Sequence, residues 1–312
     1  GLSLVLTLHS HQRVERGHAH PRPVLRVVAQ LADLLQLVVG ELTARQDVNV
    51  SVNGAQQVIP WSPTSSVQYS SVFVDGLGDN DNIRVLRDPP STSLIVQGGT
   101  GDDAIVLGRD AGRFYELSTS NIVLAGGEGR DTVLVLDNQS SDDSRPYIVS
   151  GSVFTREGDQ TVVALNDVEQ INVSSNSLGT ELRIGDLSTG SAISIVDNGG
   201  ADTLVFGDES GQSLDQFQGA FEYRGALDSN LRTSVVLHDE ASEYIGDYRI
   251  GSTTGVTTLT RGTARWNLHN SSAMTLLSGA GGAQFIVDST QSGTNWTIHA
   301  GGGADQLQVT PG

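Results

Sequence analysis

The chain of 312 residues contains no cysteine and no lysine, and its apolar runs are far shorter than the ~18 residues of a membrane span. Without cysteine, a disulfide framework, thiol catalysis and cysteine-ligated zinc are excluded. Without lysine, no amine is present to serve as a catalytic base. The apolar stretch 2–8 is too short for a signal peptide, so we expect any secretion signal to lie outside this sequence. We predict no membrane span.

Positive charge is also scarce. The 18 basic residues are all arginine and face 36 acidic residues, which gives a net charge of −18. Residues 1–46 hold five arginines and three acidic residues, so this segment carries +2 and the remainder carries −20. An acidic surface repels phosphate backbones, and we therefore expect no nucleic-acid partner.

Material for a large globular core is limited. Hydrophobic residues make up 37% of the chain and aromatic residues 5%, whereas glycine occurs 37 times. This composition suits stacked short strands, because each layer then buries only a few aliphatic side chains and turns on glycine.

One block of sequence recurs, at 71–108, 170–207 and 273–310. Asp103, Asp202 and Asp305 occupy equivalent places in it, 99 and 103 residues apart. The segments ahead of the last two blocks also correspond, since Tyr147 matches Tyr248 at a spacing of 101 residues. Self-similarity at a fixed period is the signature of a repeat architecture, and here it predicts a super-repeat of about 100 residues. The approximate copies are 48–146, 147–247 and 248–312.

Each copy divides into short strand-like runs separated by turns rich in glycine and aspartate. Consecutive turns lie roughly 22–28 residues apart, and alternate aliphatic residues such as Ile105 and Leu107 would point inward. We therefore predict an all-β fold over residues 47–312, a parallel β-helix (β-solenoid) with 22–28 residues per coil. A super-repeat would then contain about four coils.

Residues 1–46 differ from the rest in composition. Proline, histidine and arginine crowd residues 10–23, and leucines and valines follow at helical spacing over residues 24–42. One interpretation is a helical cap that covers the open edge of the first coil. The other is a stretch that is not native sequence of the domain. The sequence leaves both open.

The turns GGTGDDAIVL at 98–107 and GGEGRDTVLV at 126–135 resemble the GGxGxD repeats of RTX calcium-binding β-rolls. They are more similar to the GGxGxDT rungs of very large secreted repeat proteins, in which the motif appears once per coil. The resemblance covers about residues 48–312. It implies a β-solenoid at an extracellular or cell-surface location, and it implies no particular activity.

Calcium is the only cofactor that these motifs suggest. Aspartates from stacked turns could bind Ca²⁺ through carboxylate and backbone oxygens. The alternative is that they form turns on a solvated edge. The motif is not in immediate tandem and loses its acidic residues at 174–181 and 278–284, so we expect no regular calcium ladder. The candidate ligands are Asp79, Asp81, Asp102, Asp103 and Asp131.

An enzymatic role has little support in the sequence. A pair of carboxylates could serve a polysaccharide-acting β-helix enzyme. For nucleophilic catalysis by a Ser-His-Asp triad, no motif is recognisable. We therefore predict no catalytic residues. The one carboxylate cluster worth testing comprises Asp167, Glu169, Asp197 and Asp202.

Histidines and sequons are the remaining candidate sites. Two HxH pairs could hold a transition metal if the chain is extended there, and they comprise His9, His11, His18 and His20. Three later histidines are interpreted as ordinary surface residues, namely His238, His269 and His299. Five sequons predict N-glycosylation, at Asn49, Asn138, Asn172, Asn270 and Asn295.

A solenoid without an evident active site is typically a spacer, scaffold or polymer subunit. The last copy has no polar capping element, and an exposed strand edge pairs readily with another strand. Either the chain continues into further repeats, or the subunit stacks end to end on a neighbour. We therefore expect a structural subunit or segment of an extracellular filament, appendage or cell-surface layer. Its partners would be copies of itself or neighbouring repeats, bound end to end or laterally, and glycans are further candidates. The main alternative is the stalk of a cell-surface adhesin.

Overall fold

The computed structural model describes residues 71–85, 93–108, 121–138, 144–150, 152–158, 162–207, 212–225 and 233–310, and the backbone of five strands before residue 60. All regular structure in these residues is β-strand, which confirms the all-β class. These residues contain no helix that is long and apolar enough to cross a membrane. The strands are β1 (Leu4–His9), β2 (Val24–Ala29), β3 (Gln36–Val39), β4 (Val48–Val52), β5 (Ala55–Ile59), β6 (Ser71–Asp75), β7 (Asn82–Val85), β8 (Ser93–Thr100), β9 (Ala104–Leu107), β10 (Asn121–Glu128), β11 (Thr132–Leu136), β12 (Tyr147–Ser150), β13 (Val153–Arg156), β14 (Val162–Asn166), β15 (Gln170–Ser174), β16 (Glu181–Ile184), β17 (Ala192–Val196), β18 (Thr203–Phe206), β19 (Ala220–Arg224), β20 (Thr233–Asp239), β21 (Asp247–Thr253), β22 (Val256–Arg261), β23 (Ala264–His269), β24 (Ser271–Ser278), β25 (Gln284–Val287), β26 (Asn295–His299) and β27 (Gln306–Val309).

The chain divides into two compact units. Unit 1 comprises residues 1–137 and 159–170, and unit 2 comprises residues 138–158 and 171–312. Residues 1–46 therefore belong to the same unit as the first copy of the repeat. The boundary between residues 46 and 47 that the composition suggests stays a prediction.

Unit 1 consists of two mostly parallel sheets and one separate hairpin, β4–β5. Its first sheet has the order β1-β2-β6-β8-β10-β14, in which only β1 is antiparallel to its neighbour. Its second sheet, β3-β7-β9-β11, is parallel throughout. From β6 to β11, consecutive strands alternate between the two sheets, so that strands two apart in the chain are neighbours.

Unit 2 also has two mostly parallel sheets. The first has the order β13-β12-β16-β18-β20-β24-β26, and the second has the order β15-β17-β19-β23-β22-β21-β25-β27. Antiparallel pairing occurs between β12 and β13 and within the meander β21–β22–β23. We call two consecutive strands, one in each sheet, a rung.

The cores are built from alternate residues of the strands, since successive side chains of a strand point to opposite faces. In unit 1, Val72, Leu94, Ile122 and Val163 are register partners across the first sheet and all are buried. Unit 2 adds aromatic side chains, and the Phe217 ring stacks on buried Trp266 with centroids 4.7 Å apart, which adds about 0.5–1.5 kcal/mol to their burial.

The three sequence blocks share one register. Asn82 pairs with Ala104, Glu181 with Thr203, and Gln284 with Gln306, which are 22 residues apart in every copy. The correspondence found in the sequence is therefore also a correspondence of strand pairing.

Equivalent strands of successive copies nevertheless lie in opposite sheets of unit 2. In the block 170–207, β16 and β18 belong to the first sheet, whereas their equivalents β25 and β27 belong to the second. The cause is the meander, since β21, β22 and β23 all lie in one sheet. Strands β15 to β20 alternate between the two sheets and account for six half-circuits, and the three meander strands together account for one more. The nine strands of a repeat therefore complete three and a half circuits. A repeat therefore contains three and a half coils, where the sequence predicts about four.

Residues 24–42 contain strands where their spacing predicts a helix. Strands β2 and β3 occupy 24–29 and 36–39, and they pair in parallel with β6 and β7. The helical interpretation of the cap is wrong at these residues. The segment is rich in valine, whose branched side chain favours strands, and the parallel pairing of its backbone outweighs the helical period.

Candidate functional site

The glycine-rich turns of unit 1 carry three aspartates into the interior. Asp81, Asp103 and Asp131 stand immediately before β7, β9 and β11 and are at most 4% exposed. They are buried because of their position relative to the strand. Asp103, for example, lies two residues before buried Ile105, and residues two apart in a strand point to the same face. The solvated-edge interpretation is therefore wrong for these three aspartates.

The buried carboxylates form a ladder with backbone amides. The Asp81 N–H donates to Asp103 Oδ1 at 2.7 Å, and the Asp103 N–H donates to Asp131 Oδ1 at 2.8 Å. The Asp131 N–H in turn donates to Glu169 Oε2 at 2.8 Å. A buried amide without a partner is costly, so each carboxylate stabilises the turn of the preceding rung.

A second ladder runs along the exposed side of the same turns. The Asp102 N–H donates to Asn80 Oδ1 and the Arg130 N–H donates to Asp102 Oδ1, both at 2.9 Å. Side-chain acceptors of this kind hold turn amides that the sheets do not pair. The turns are thus fixed on both their buried and their exposed sides.

The first glycine of each GG pair leaves the space that a buried carboxylate fills. A Cβ on Gly98 would lie within 3.0 Å of Asp103 Oδ2 and of the Gly126 carbonyl oxygen. A Cβ on Gly126 would come equally close to Asp131 Oδ2 and the Asp167 carbonyl oxygen. Within the described part of the chain, Oδ2 of Asp103 and of Asp131 has no hydrogen-bond donor. In this motif, the missing side chain of the first glycine therefore provides the space for the buried carboxyl group.

Burial controls the ionisation of this ladder. Burial raises the pKa of Asp103 to about 6, against the Asp81 N–H and with the help of the Asp131 and Asp102 charges. Burial also raises the pKa of Asp131, opposed by the Asp103 N–H and reinforced by the Glu169 charge. A raised pKa in the folded state stabilises the fold in acid, and the stabilisation from Asp103 is lost as the pH rises through about 6.

The candidate calcium ligands are split between two environments. Asp81, Asp103 and Asp131 are buried, and the carboxylates of Asp103 and Asp131 accept backbone amides, whereas Asp79 and Asp102 are exposed. Among the described residues, no group of three or more His, Asp or Glu side chains is placed to hold a metal ion. Calcium binding by these five residues stays a prediction.

We expect chelation of calcium to leave the melting temperature of the protein unchanged, because amide donors already hold the buried carboxylates. Calorimetry in EDTA and in millimolar Ca²⁺ measures this directly. A ligand present at 100 times its Kd adds about 2.7 kcal/mol of stability, so a calcium site would raise the Tm clearly. Such a rise, absent in Asp102→Asn, would contradict our expectation and support the calcium hypothesis.

Unit 2 contains the equivalent contacts. The Thr180 N–H donates to Asp202 Oδ1 and the Ala283 N–H donates to Asp305 Oδ1, each at 2.8 Å and across 22 residues. These contacts match the one between the Asp81 N–H and Asp103, which is also 22 residues away. The predicted equivalence of the three aspartates is confirmed by their shared role.

A buried ionic cluster in unit 2 was not foreseen from the sequence. Arg261 Nε lies 2.8 Å from Oδ2 of Asp239, which is 0% exposed, and the Tyr248 hydroxyl donates to the same oxygen. The guanidinium also donates to Ser242 Oγ at 2.9 Å and lies 4.1 Å from the centroid of the Tyr244 ring. This cluster secures the meander to the rung that contains β20.

The carboxylates of the cluster differ in pKa. Burial raises the pKa of Asp239, although the Tyr248 hydroxyl and Arg261 act in the opposite direction. Burial acts in the same sense on Asp215, but hydrogen bonds from Arg261 and Ser242 prevail and lower its pKa. Arg261 therefore joins an exposed carboxylate to a fully buried one.

The preceding copy has a related arrangement. Arg156 lies over the Tyr147 ring at 4.7 Å, and the two are cross-strand partners, as are Tyr248 and Arg261. The tyrosines are 101 residues apart but the arginines 105, because the hairpins between them differ in length. A fixed-period comparison therefore finds the tyrosine and misses the arginine.

The carboxylates considered for catalysis are distributed over both units. Asp167 and Glu169 belong to unit 1, while Asp197 and Asp202 belong to unit 2 and are buried. A pocket of about 230 Å³ on the first sheet of unit 2 is lined by Ile148, Val149, Ser150, Arg183, Ile184, Gly185 and Gly207. None of the four carboxylates lines that pocket, and the absence of enzymatic activity stays a prediction.

The histidines of unit 2 lie at the surface of the strands. His238 Nδ1 is 3.0 Å from Glu240 and His269 Nε2 is 3.3 Å from Glu222, and His299 is exposed. The HxH pairs formed by His9, His11, His18 and His20 have side chains outside the described residues.

The sequons lie in several environments. Asn138, Asn172 and Asn270 are half-buried and Asn295 is exposed, while the side chain of Asn49 lies outside the described residues. Asn270 has a positive φ of 59° and its amide donates to the Gly225 carbonyl at 3.4 Å. Glycosylation at these asparagines stays a prediction.

Comparison of the chain with protein-family models, with curated proteins and with solved structures finds no match.

Proposed function

We propose that the chain is a segment of a parallel β-solenoid and serves as a structural subunit of an extracellular filament, appendage or cell-surface layer. Strands that alternate between two sheets, with parallel neighbours 22 or 28 residues apart, support the solenoid. The resemblance of the GGxGxD turns to those of secreted repeat proteins supports the extracellular location.

The observation that carries the proposal is the open edge formed by β26 and β27. Within the described residues, each of them pairs with one strand only, β26 with β24 and β27 with β25. Leu307 and Val309 of β27 are 66% and 61% exposed. Their equivalents in β18, Leu204 and Phe206, are 0% exposed because β20 covers them.

The chemistry of this edge is that of an interior rung. The strands read NWTIH and QLQV and contain no acidic residue or arginine, although the chain carries a net charge of −18. Edge strands that must stay unpaired usually carry charges or proline. The edge therefore favours a further rung of the same kind, supplied by a second copy of the chain or by a neighbouring repeat.

We expect the purified protein to form end-to-end assemblies, visible by electron microscopy and by sedimentation. The double variant Leu307→Lys/Val309→Lys should weaken assembly by at least about ten-fold, because two buried ammonium groups would oppose the pairing. The matched control is Ile245→Lys, since Ile245 is 76% exposed in a loop of the same unit.

Circular dichroism must show that both variants keep their β-structure. Assembly of the double variant at the wild-type level would contradict pairing through this edge. A wild-type protein that stays monomeric at every concentration would contradict the proposed function itself.

A further inference from the structure

Four neighbouring strands of the first sheet of unit 2 present an outward face without acidic residues or arginine. The strands are β18, β20, β24 and β26, and all their residues are described. Leu204, Val235 and Met274 are at most 1% exposed, so the residues next to them along each strand point outward. Asp239 is the one aspartate, glutamate or arginine in these strands, and it is 0% exposed. We call the outward residues of these four strands the neutral face.

The centre of the neutral face is a row of β-branched side chains. Val205 is the register partner of Val236, Val236 is that of Thr275, and Thr275 is that of Thr297. The first three are half-buried and Thr297 is exposed. Neighbouring strands lie about 4.8 Å apart, so these side chains form a continuous row across the sheet. Short, branched side chains in such a row suit the packing of one sheet face on another.

The groups that can carry charge lie at the margins of the neutral face. On one side, the next strand, β16, carries Glu181 and Arg183, which form a salt bridge with each other. At the carboxyl ends of the four strands, His238 Nδ1 lies 3.0 Å from Glu240 Oε1, and His299 is exposed. The centre of the face is therefore apolar or hydroxylic.

The charge of the chain indicates which partner this face fits. The outward face of the second sheet of unit 2 carries Glu222, Arg224, Arg265 and Arg249, and the whole chain has a net charge of −18. Two copies therefore repel each other over most of their surface, and least where acidic groups are absent. A basic partner would find no countercharge at the centre of the neutral face. The face is thus suited to a second copy of the chain, which presents the same neutral surface.

The size of the neutral face determines when this contact can form. Four strands about 4.8 Å apart, each contributing about five residues of about 3.3 Å, project an area of about 300 Å². A stable pair of proteins buries about 800 Å² on each partner, so one copy of the face is too small to hold two single chains together. Many such contacts act together when the copies are already joined end to end.

We propose that the neutral face packs on the same face of a second copy and joins end-to-end assemblies side by side. The contact is isologous, since both copies contribute the same residues, and the two sheets lie about 10 Å apart. This inference rests on the proposed function, because the side-by-side contact needs copies that are already joined through the edge formed by β26 and β27.

The test uses Val236→Glu, which places a carboxylate at the centre of the neutral face. Removal of an unpaired carboxylate from water costs several kcal/mol, so the bundled fraction should fall by at least about ten-fold. End-to-end assembly should stay at the wild-type level, since Val236 lies two strands away from the open edge. Low-speed sedimentation collects bundles and high-speed sedimentation collects all assemblies, and electron microscopy measures their widths.

Val256→Glu is the matched control. Val256 is a half-buried valine on β22, in the second sheet of the same unit, and it lies between inward-facing neighbours of low exposure and the hairpin turn. The control should bundle like the wild type, and circular dichroism must show that both variants keep their β-structure. Bundling of Val236→Glu at the wild-type level would overturn the proposal.

The response of the wild type to salt tests the same contact without a substitution. A tenfold rise in NaCl concentration should increase bundling by at least about two-fold, because salt screens the repulsion between acidic copies and leaves a neutral contact intact. Bundling that weakens in salt would contradict a neutral interface. Assemblies that stay one chain wide at every concentration would refute the side-by-side contact alone, whereas a protein that stays monomeric would refute the proposed function as well.

Discussion

Replacement of Gly126 by alanine should destabilise the stacked turns of unit 1 by more than about 3 kcal/mol, or prevent them from folding. The new Cβ would overlap the Asp167 carbonyl oxygen and Asp131 Oδ2, both within 3.0 Å. The carbonyl oxygen belongs to the backbone, and the Asp131 carboxylate is held because it accepts the Asp103 N–H at 2.8 Å. Hydrogen exchange of the peptides around β9 and β11 would report the loss locally.

Alanine variants at two glycines of unit 2 serve as controls, because they distinguish steric overlap from the other effects of a glycine-to-alanine change. Gly251 has open space around its Cβ position, and so has Gly255, which also has a positive φ of 78°. Gly251→Ala should be nearly neutral, and Gly255→Ala should cost about 1–2 kcal/mol from backbone strain alone. If Gly126→Ala proved as mild as Gly251→Ala, the close packing of the carboxylate on glycine would be refuted.

Replacement of Arg261 by methionine should cost about 3–5 kcal/mol, because it leaves the charge of Asp239 buried without its cation. Asp239 is 0% exposed, so it cannot recover the lost interaction from water. Burial already raises the pKa of Asp239, and without Arg261 the pKa should rise further. The variant should therefore become more stable as the pH falls. Denaturant unfolding, followed by the fluorescence of buried Trp266, measures the effect.

The double variant Arg261→Met/Asp239→Asn distinguishes the effect of the unpaired charge from the effect of lost packing. Removal of both charges should restore part of the lost stability, since an uncharged pair carries no unpaired buried ion. Arg265→Met is the matched control, because Arg265 is exposed on β23 and the same change there should cost less than about 0.5 kcal/mol. Equal losses for the Arg261 single and double variants would show that packing, rather than charge, explains the cost.

The repeat and the strands could be predicted because they depend on local pattern. Alternation of aliphatic residues around Ile105 and the glycine-rich turn before it are both visible in the sequence, and the structure has β9 there. The equivalence of Asp103, Asp202 and Asp305 could be found because each lies at a constant distance from its strand. Their shared 22-residue contact is the physical reason for that constancy.

The interior position of the aspartates was missed, although a signal was present. Asp103 has the same parity as Ile105 and Leu107, and a side chain of that parity points inward. Aspartate lies mostly at protein surfaces, and this tendency predicts the wrong environment for Asp103. The phase of a residue relative to its strand is more informative here than its polarity.

Other features depend on contacts between residues distant in sequence. Asp239 and Arg261 are 22 residues apart on strands of different sheets, and no local pattern joins them. The strand identity of residues 24–29 likewise depends on parallel pairing with β6, which outweighs the helical period of the leucines and valines. The sheet in which each of β24 to β27 lies depends on the meander, whose three strands have the same sequence pattern as other strands of the chain.

Because each repeat completes a half-integral number of circuits, the number of repeats that are gained or lost decides on which face the later residues lie. Loss of one nine-strand repeat would carry every later strand of unit 2 to the opposite sheet, so that outward-facing residues would appear on the other side. Loss or gain of two repeats would leave every later side chain on its original face. Duplications that preserve a laterally bound neighbour should therefore occur in even numbers, and chains engineered with odd numbers would present the later faces rotated by half a turn.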